Sequence, residues 1–205
     1  MALNSNSNNK FFDEKELLDR KLREELLFRD FSSNLKKIAS LSSGWKEILK
    51  EIDLNNINNR DDLNSIPITR KSSLTNLQKD NFPYGNLTTK APNKFPYMFA
   101  SPGPIYEPGD YNDFWNMSRS LHAAGLRGNQ LAYNTFSYHL GPAGIMMHNA
   151  ANNLGSTVIP GGVGNTDLQV DTISNLKPDF YIGTPSFLKI ILENAKKNNK
   201  DISSL

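Results

Sequence analysis

From Phe95 onward the sequence repeats one unit: a short apolar run, a Gly/Pro turn, then a stretch with apolar residues three and four positions apart. The strand-like runs are residues 95–100, 130–136, 156–159 and 179–182, and the helical period occupies residues 111–124, 142–154, 167–176 and 186–197. Strands separated by helices of this length pair in parallel through right-handed crossovers. The pattern therefore predicts an α/β fold, with a mostly parallel sheet and flanking helices. In the last helix Leu188, Ile191 and Leu192 are expected to face inward. In such sheets ligands sit beyond the carboxyl ends of the strands, where the strand order reverses. That directs attention to the loops at residues 101–110, 137–142, 160–166 and 183–186.

The residues upstream have a different texture. Leu18, Leu22 and Leu26, then Phe31, Leu35, Ile38 and Leu41, keep a helical period until Ser42-Ser43-Gly44 interrupts it, and Trp45, Ile48, Leu49 and Ile52 resume it. Such a stripe packs more readily on its own domain than on a partner. Residues 55–94 are polar and broken by Pro67, Pro83, Gly85 and Pro92, with one helical turn expected at residues 74–77. The expected organisation is a disordered tail over residues 1–12, a helical and connecting segment over 13–94, and an α/β subdomain over 95–205.

Composition removes several kinds of chemistry. The 205 residues, 38% of them hydrophobic, suffice for one filled core and at most two domains. The absence of cysteine excludes disulfides, thiolate metal sites, iron–sulfur clusters and a cysteine nucleophile. A net charge of +2 does not make a nucleic-acid footprint. The amino terminus lacks the layout of a secretory signal and no run of about 18 apolar residues occurs, so a soluble cytoplasmic protein is expected, with neither nucleic acid nor membrane as a partner.

No GxxxxGK[ST] loop is present, and Gly162-Val-Gly-Asn-Thr-Asp167 lacks the third glycine of a dinucleotide fingerprint, which leaves a plain turn as its reading. Gly183-Thr-Pro-Ser-Phe187 lacks the closing glycine of a nucleophile elbow, and Ser186 reads as a helix cap beside Pro185. The histidines have no metal-ligand spacing. His122 is expected on a helix surface. His139 follows a strand and precedes Gly141-Pro142, where a side chain would point at a ligand, and His148, mid-helix beside Met146 and Met147, reads first as packing.

Three segments together resemble the phenylacetate–CoA ligase family of AMP-forming acyl-CoA ligases: Asn134-Thr-Phe-Ser-Tyr-His-Leu-Gly-Pro-Ala-Gly144, Leu154-Gly-Ser-Thr-Val-Ile-Pro-Gly-Gly-Val-Gly-Asn165, and Gly183-Thr-Pro-Ser-Phe-Leu188. Weaker agreement extends upstream through residues 63–71 and Trp45. The resemblance implies part of the large N-terminal domain of an adenylate-forming enzyme. It further implies an activity in which a carboxylic acid and ATP, with Mg2+, give an acyl-adenylate that coenzyme A converts to a thioester. Tyr138 then lines the acid pocket, with His139, Gly141 and Pro142 in the same loop. His148 matches a family histidine in the following helix, and Thr184, Pro185 and Ser186 match a turn framing the same cleft. Tyr138, Phe136 and Phe187 suit an aromatic or medium apolar acid. No metal ligand is assigned.

Two departures from the family stand out. Its usual phosphate loop is rich in Ser, Thr and Gly and carries a lysine, whereas this chain has Ser101-Pro-Gly-Pro-Ile-Tyr-Glu-Pro-Gly109. Ser101, Gly103 and Tyr106 form a degenerate version in which Pro102, Pro104 and Pro108 lack N–H donors, so weak phosphate binding is expected. The chain also stops at Leu205, before the segments that carry the family's catalytic apparatus. That suggests a fragment, a split enzyme or a degenerate relative, with a missing C-terminal half or a homodimer as partner. A non-catalytic ligand-binding or interaction domain derived from the same family is the alternative.

Overall fold

The structure, a computed structural model, describes residues 10–205. The expected tail over residues 1–12 lies mostly outside them. Phe12, its last residue, meets the ring of His122 edge-on, with centroids 5.7 Å apart. The chain divides into two compact units, Asp13–Gly109 and Asp110–Leu205, with Phe12 grouped in the second.

In the first unit, α1 (Arg20–Leu41) starts at Asp19, whose carboxylate accepts from Leu22 N–H at 3.0 Å. The interruption expected at residues 42–44 is real. Ser42 ends α1, and its hydroxyl oxygen accepts from Trp45 N–H at 3.2 Å to begin α2 (Ser43–Ile48). That helix is shorter than the sequence period suggests, because beyond it the chain turns to bury Leu49 and Ile57. The single turn expected at residues 74–77 is a ten-residue helix, α3 (Lys71–Asp80). Leu74 and Leu77 are half-buried along it and Gln78 is buried.

The first strand-like run does not join a parallel sheet. β1 (Tyr97–Ser101) pairs antiparallel with β2 (Ile105–Gly109) in register from Tyr97↔Gly109 to Ser101↔Ile105. Three residues separate the strands, far too few for a crossover. Gln78 reaches β2 from α3, donating through Nε2 to Tyr106 O at 2.8 Å and accepting from Tyr106 N–H at 2.9 Å. Its amide thus pairs with the strand as a neighbouring peptide group would.

The second unit is the α/β body. The helix expected over residues 111–124 is only α4 (Ser118–Ala123), because the Asp113 carboxylate accepts from Met117 N–H at 2.7 Å and Ser118 N–H at 3.0 Å and so delays the start. There follow β3 (Leu131–Asn134), α5 (Ala143–Asn153), β4 (Thr157–Pro160), α6 (Thr166–Leu176), β5 (Phe180–Ile182) and α7 (Pro185–Lys197). The strands form a parallel sheet ordered β4-β3-β5, with Leu131 opposite Thr157 and Ala132 opposite Phe180.

Strand alternation assigns the two faces. Ala132 and Ile182 pack with Leu121 of α4 and Ala150 and Ala151 of α5. Tyr133 packs with Val170 and Ile173 of α6 and Ile191 and Ala195 of α7. Leu192, expected to face inward, is 49% exposed, since the inward row of α7 runs through Ile191 and Ala195. His122, expected on the surface, is buried because α4 is short and its inner face is shared with Phe12.

Replacing Gln78 with Leu removes the partner of the half-buried N–H and C=O of Tyr106, at about 1 kcal/mol for each lost hydrogen bond. The expected outcome is a lowered denaturation midpoint for the first unit with the second unchanged, followed by circular dichroism and the fluorescence of Trp45.

Candidate functional site

The loop after β3 leads to α5 on one face of the sheet, while the loops after β4 and β5 lead to α6 and α7 on the other. The carboxyl end of β3 is therefore where the connections diverge, the position at which open α/β sheets hold ligands.

Asn134 ends β3 with no exposed surface. Its side chain faces α5, as alternation from Ala132 requires. Nδ2 donates to Gly144 O at 2.9 Å and to the Tyr138 hydroxyl at 2.8 Å, and Oδ1 accepts from Phe136 N–H at 3.1 Å. Its backbone carbonyl accepts from Gly162 N–H at 3.0 Å, which ties in the β4–α6 loop. That loop is also held by Gln169, whose Nε2 donates to Gly162 O at 3.1 Å and Gly164 O at 2.6 Å.

Tyr138 lies between the two diverging loops. A Cβ added to Gly144 would sit 2.9 Å from Tyr138 Cγ, and one on Gly162 would sit 3.9 Å from Cδ2, so glycine at 144 lets the ring lie against the backbone. The hydroxyl is 3.3 Å from His148 Nδ1, and the two rings meet edge-on with centroids 6.0 Å apart. Burial raises the Tyr138 hydroxyl to about 12 despite the opposing Asn134 hydrogen bond. It also lowers His148 below the ordinary histidine value, and both groups are neutral at pH 7.

The other loop residues named from sequence are arranged differently. His139 is exposed at the loop tip, its backbone N–H donating to Ser137 Oγ at 3.1 Å, so Tyr138 turns inward where His139 turns outward. Gly141 N–H donates to His139 O at 2.7 Å, and Pro142 immediately precedes α5. Thr184, not Ser186, caps α7: its Oγ1 accepts from Phe187 N–H at 3.3 Å, because Pro185 occupies the first helical position and makes the residue before it the cap. Ser186 is exposed, with Oγ 3.2 Å from Thr184 Oγ1. Phe136 and Phe187 pack against the two cores on opposite faces.

Two residues not singled out by the sequence belong to this end of the sheet. Asn134 is one, a polar residue within an apolar run that opens the first of the three segments carrying the resemblance. Thr135 is the other, with N–H donating to Ile182 O at 2.8 Å and Oγ1 2.8 Å from the Tyr181 hydroxyl. Beside them, a Cβ on Gly183 would fall 2.7 Å from Tyr181 Cζ.

Ser101, Gly103 and Tyr106 belong to the first unit. Ser101 closes β1, Tyr106 lies in β2, and Pro102-Gly103-Pro104 is the turn between them, where Gly103 carries the only N–H of the three. This hairpin does not offer the row of free amides that cradles a triphosphate. Among the described residues no group of three or more His, Asp or Glu is placed to hold a metal ion, and no helix is long and apolar enough to cross a membrane. Two surface hollows of about 270 and 530 Å3 also lie in the first unit, lined by residues such as Ser42, Tyr84 and Lys90 in one and Phe28 and Lys36 in the other. Neither contains a residue named from the resemblance.

The fold is that of the adenylate-forming acyl-CoA ligases. An open conformation of 2-hydroxyisobutyryl-CoA ligase in complex with 2-HIB-AMP and CoA superposes with a TM-score of 0.83 at 16% identity, over 91% of this chain and 46% of that one. The same enzyme in a postadenylation state with R3-HIB-AMP gives 0.83 at 15% identity, over 98% and 46%. In sequence, the phenylacetate-coenzyme A ligase of Aromatoleum evansii is 30% identical over 148 residues, which is 68% of this chain and 32% of that protein. The Thermus thermophilus phenylacetate-coenzyme A ligase is 30% identical over 163 residues, 75% and 36% respectively. No family model matches. The chain is a relative of the phenylacetate-coenzyme A ligase family, and it spans about a third of the length of the curated relatives it matches.

Gly183→Ala drives a methyl group into Thr135 Oγ1 and the Tyr181 hydroxyl, whereas nothing lies within 4 Å of a Cβ on Gly141. Overpacking of that kind costs about 1–3 kcal/mol, so thermal unfolding of Gly183→Ala should fall well below that of Gly141→Ala, which should match the parent. His148 should titrate below 6.5 in the folded chain when followed by NMR. Because burial disfavours its charged form, protonation favours unfolding, and this group's contribution destabilises the unit progressively as pH falls below 6.5.

Proposed function

We propose that the chain supplies one wall of the acid-binding site of an acyl-CoA ligase, in which ATP activates a carboxylic acid as an acyl-adenylate and coenzyme A takes the acyl group. The observation that carries this reading is Tyr138, held between the β3–α5 and β4–α6 loops where the connections diverge, with neutral His148 3.3 Å from its hydroxyl. An aromatic face with polar groups beside it suits an aromatic or medium apolar acid such as phenylacetate: the ring takes the apolar body and the neighbouring imidazole orients the oxygen-bearing end. Thr184, Pro185 and Ser186 frame the same end of the sheet, and His139, Gly141 and Pro142 form the loop that limits access. A cytoplasmic location accompanies this reading, because ATP and coenzyme A are drawn from that pool.

Triphosphate and Mg2+ contacts are not assigned to Ser101, Gly103 and Tyr106, since the hairpin holding them offers one turn amide. The same hairpin favours a second reading, a ligand-binding or interaction domain that retains the acid site without adenylation. Acid-dependent pyrophosphate release from ATP separates the two: it accompanies the ligase and is missing from the binding domain.

Both readings require the acid to bind against Tyr138. Calorimetry with phenylacetate should show Tyr138→Ala weakening binding about tenfold or more, equivalent to roughly 1.4 kcal/mol. Equal affinity for the two proteins would remove Tyr138 from the site.

A further inference from the structure

The Asn134 amide has one permitted orientation. Phe136 N–H can only donate and must meet Oδ1, while the Gly144 carbonyl can only accept and must meet Nδ2. Turned over, the buried amide would set donor against donor and acceptor against acceptor. The second Nδ2 hydrogen therefore points at the Tyr138 oxygen, 2.8 Å away. With that oxygen accepting, the Tyr138 proton remains available, and His148 Nδ1 at 3.3 Å is the acceptor within reach.

We infer that Asn134 and Tyr138 form a one-way hydrogen-bond relay, Asn134 Nδ2–H to Tyr138 O–H to His148 Nδ1, which fixes His148 as the Nε2–H tautomer and presents that N–H to a carboxyl oxygen of the bound acid. An imidazole whose Nδ1 accepts a hydrogen bond carries its neutral-form proton on Nε2. Among the described residues the hydrogen bonding of this imidazole runs through Nδ1, which leaves Nε2 available as a donor. Burial supports the arrangement by keeping His148 uncharged and the Tyr138 hydroxyl protonated near neutral pH. A donor N–H facing a carboxylate makes a charge-assisted bond, stronger than one to a neutral acceptor. Asn134 and Tyr138 are positioning residues for that donor. The ligand half of the inference rests on the acid-site reading above, whereas the tautomer does not.

The test uses the full chain with 15N-labelled histidine. It contains three histidines, and the His148 signals are identified by their loss in His148→Gln. Two-bond proton–nitrogen correlation above neutral pH should show unprotonated Nδ1 and protonated Nε2 in the parent protein. In Tyr138→Phe the two nitrogen shifts should converge as the tautomers mix. A protonated Nδ1, or shifts already averaged in the parent, overturns the relay, and that reading does not depend on how any variant folds. Addition of phenylacetate or 2-hydroxyisobutyrate should move the His148 Nε2 signal while leaving buried His122 in place. An Nε2–H tautomer indifferent to phenylacetate that calorimetry shows to bind overturns the ligand assignment alone, and absence of calorimetric binding overturns the acid-site reading; both leave the relay standing.

Discussion

A single buried amide organises the end of the sheet. Asn134 reaches the loop after its own strand through Phe136 and Tyr138, the start of α5 through Gly144, and the next strand's loop through its backbone carbonyl and Gly162. A polar side chain with no exposed surface is tolerated only when its hydrogen-bonding capacity is met, since each unmet group costs about 1–3 kcal/mol. That requirement acts in both directions. The amide needs the loops closed around it, and the loops, once closed, place Tyr138 and His148 within 3.3 Å of one another.

Thr135 performs the equivalent task on the opposite face, binding Ile182 through its backbone and lying against the Tyr181 hydroxyl. Asn134 and the residue after it therefore hold different partners, the loop to α5 on one face and the end of β5 on the other, because extended backbone points successive side chains in opposite directions. The side chains that stabilise the divergence of the loops belong to the last residue of β3 and the residue that follows it.

In the first unit residues 97–109 form a tight hairpin whose ladder runs through Ser101 and Ile105. Pro102 and Pro104 suit the turn because their rings fix φ, and they do not suit a phosphate cradle because each lacks the N–H that an anion would use. Gln78 completes the hairpin by pairing with both backbone groups of Tyr106. A side-chain amide thus satisfies a strand edge that would otherwise remain open.

The amino-acid sequence alone determined the α/β class, the order of strands and helices from residue 130 onward, the break at Ser42 and the kinship with phenylacetate-coenzyme A ligases. These follow from periodicity, turn residues and contiguous motifs, all of which are local in the chain. Tertiary structure decided what depends on partners distant in sequence. It made residues 95–109 a hairpin, lengthened α3 around Gln78 and shortened α4 behind Asp113. It also buried His122 beneath Phe12 and separated inward-facing Tyr138 from outward-facing His139. Asn134 shows the limit most plainly. Its letter in the sequence is one asparagine in an asparagine-rich chain, and only the convergence of Phe136, Tyr138 and Gly144 on its side-chain amide, and of Gly162 on its backbone carbonyl, gives that residue its role, because hydrogen-bond satisfaction is a property of the folded neighbourhood.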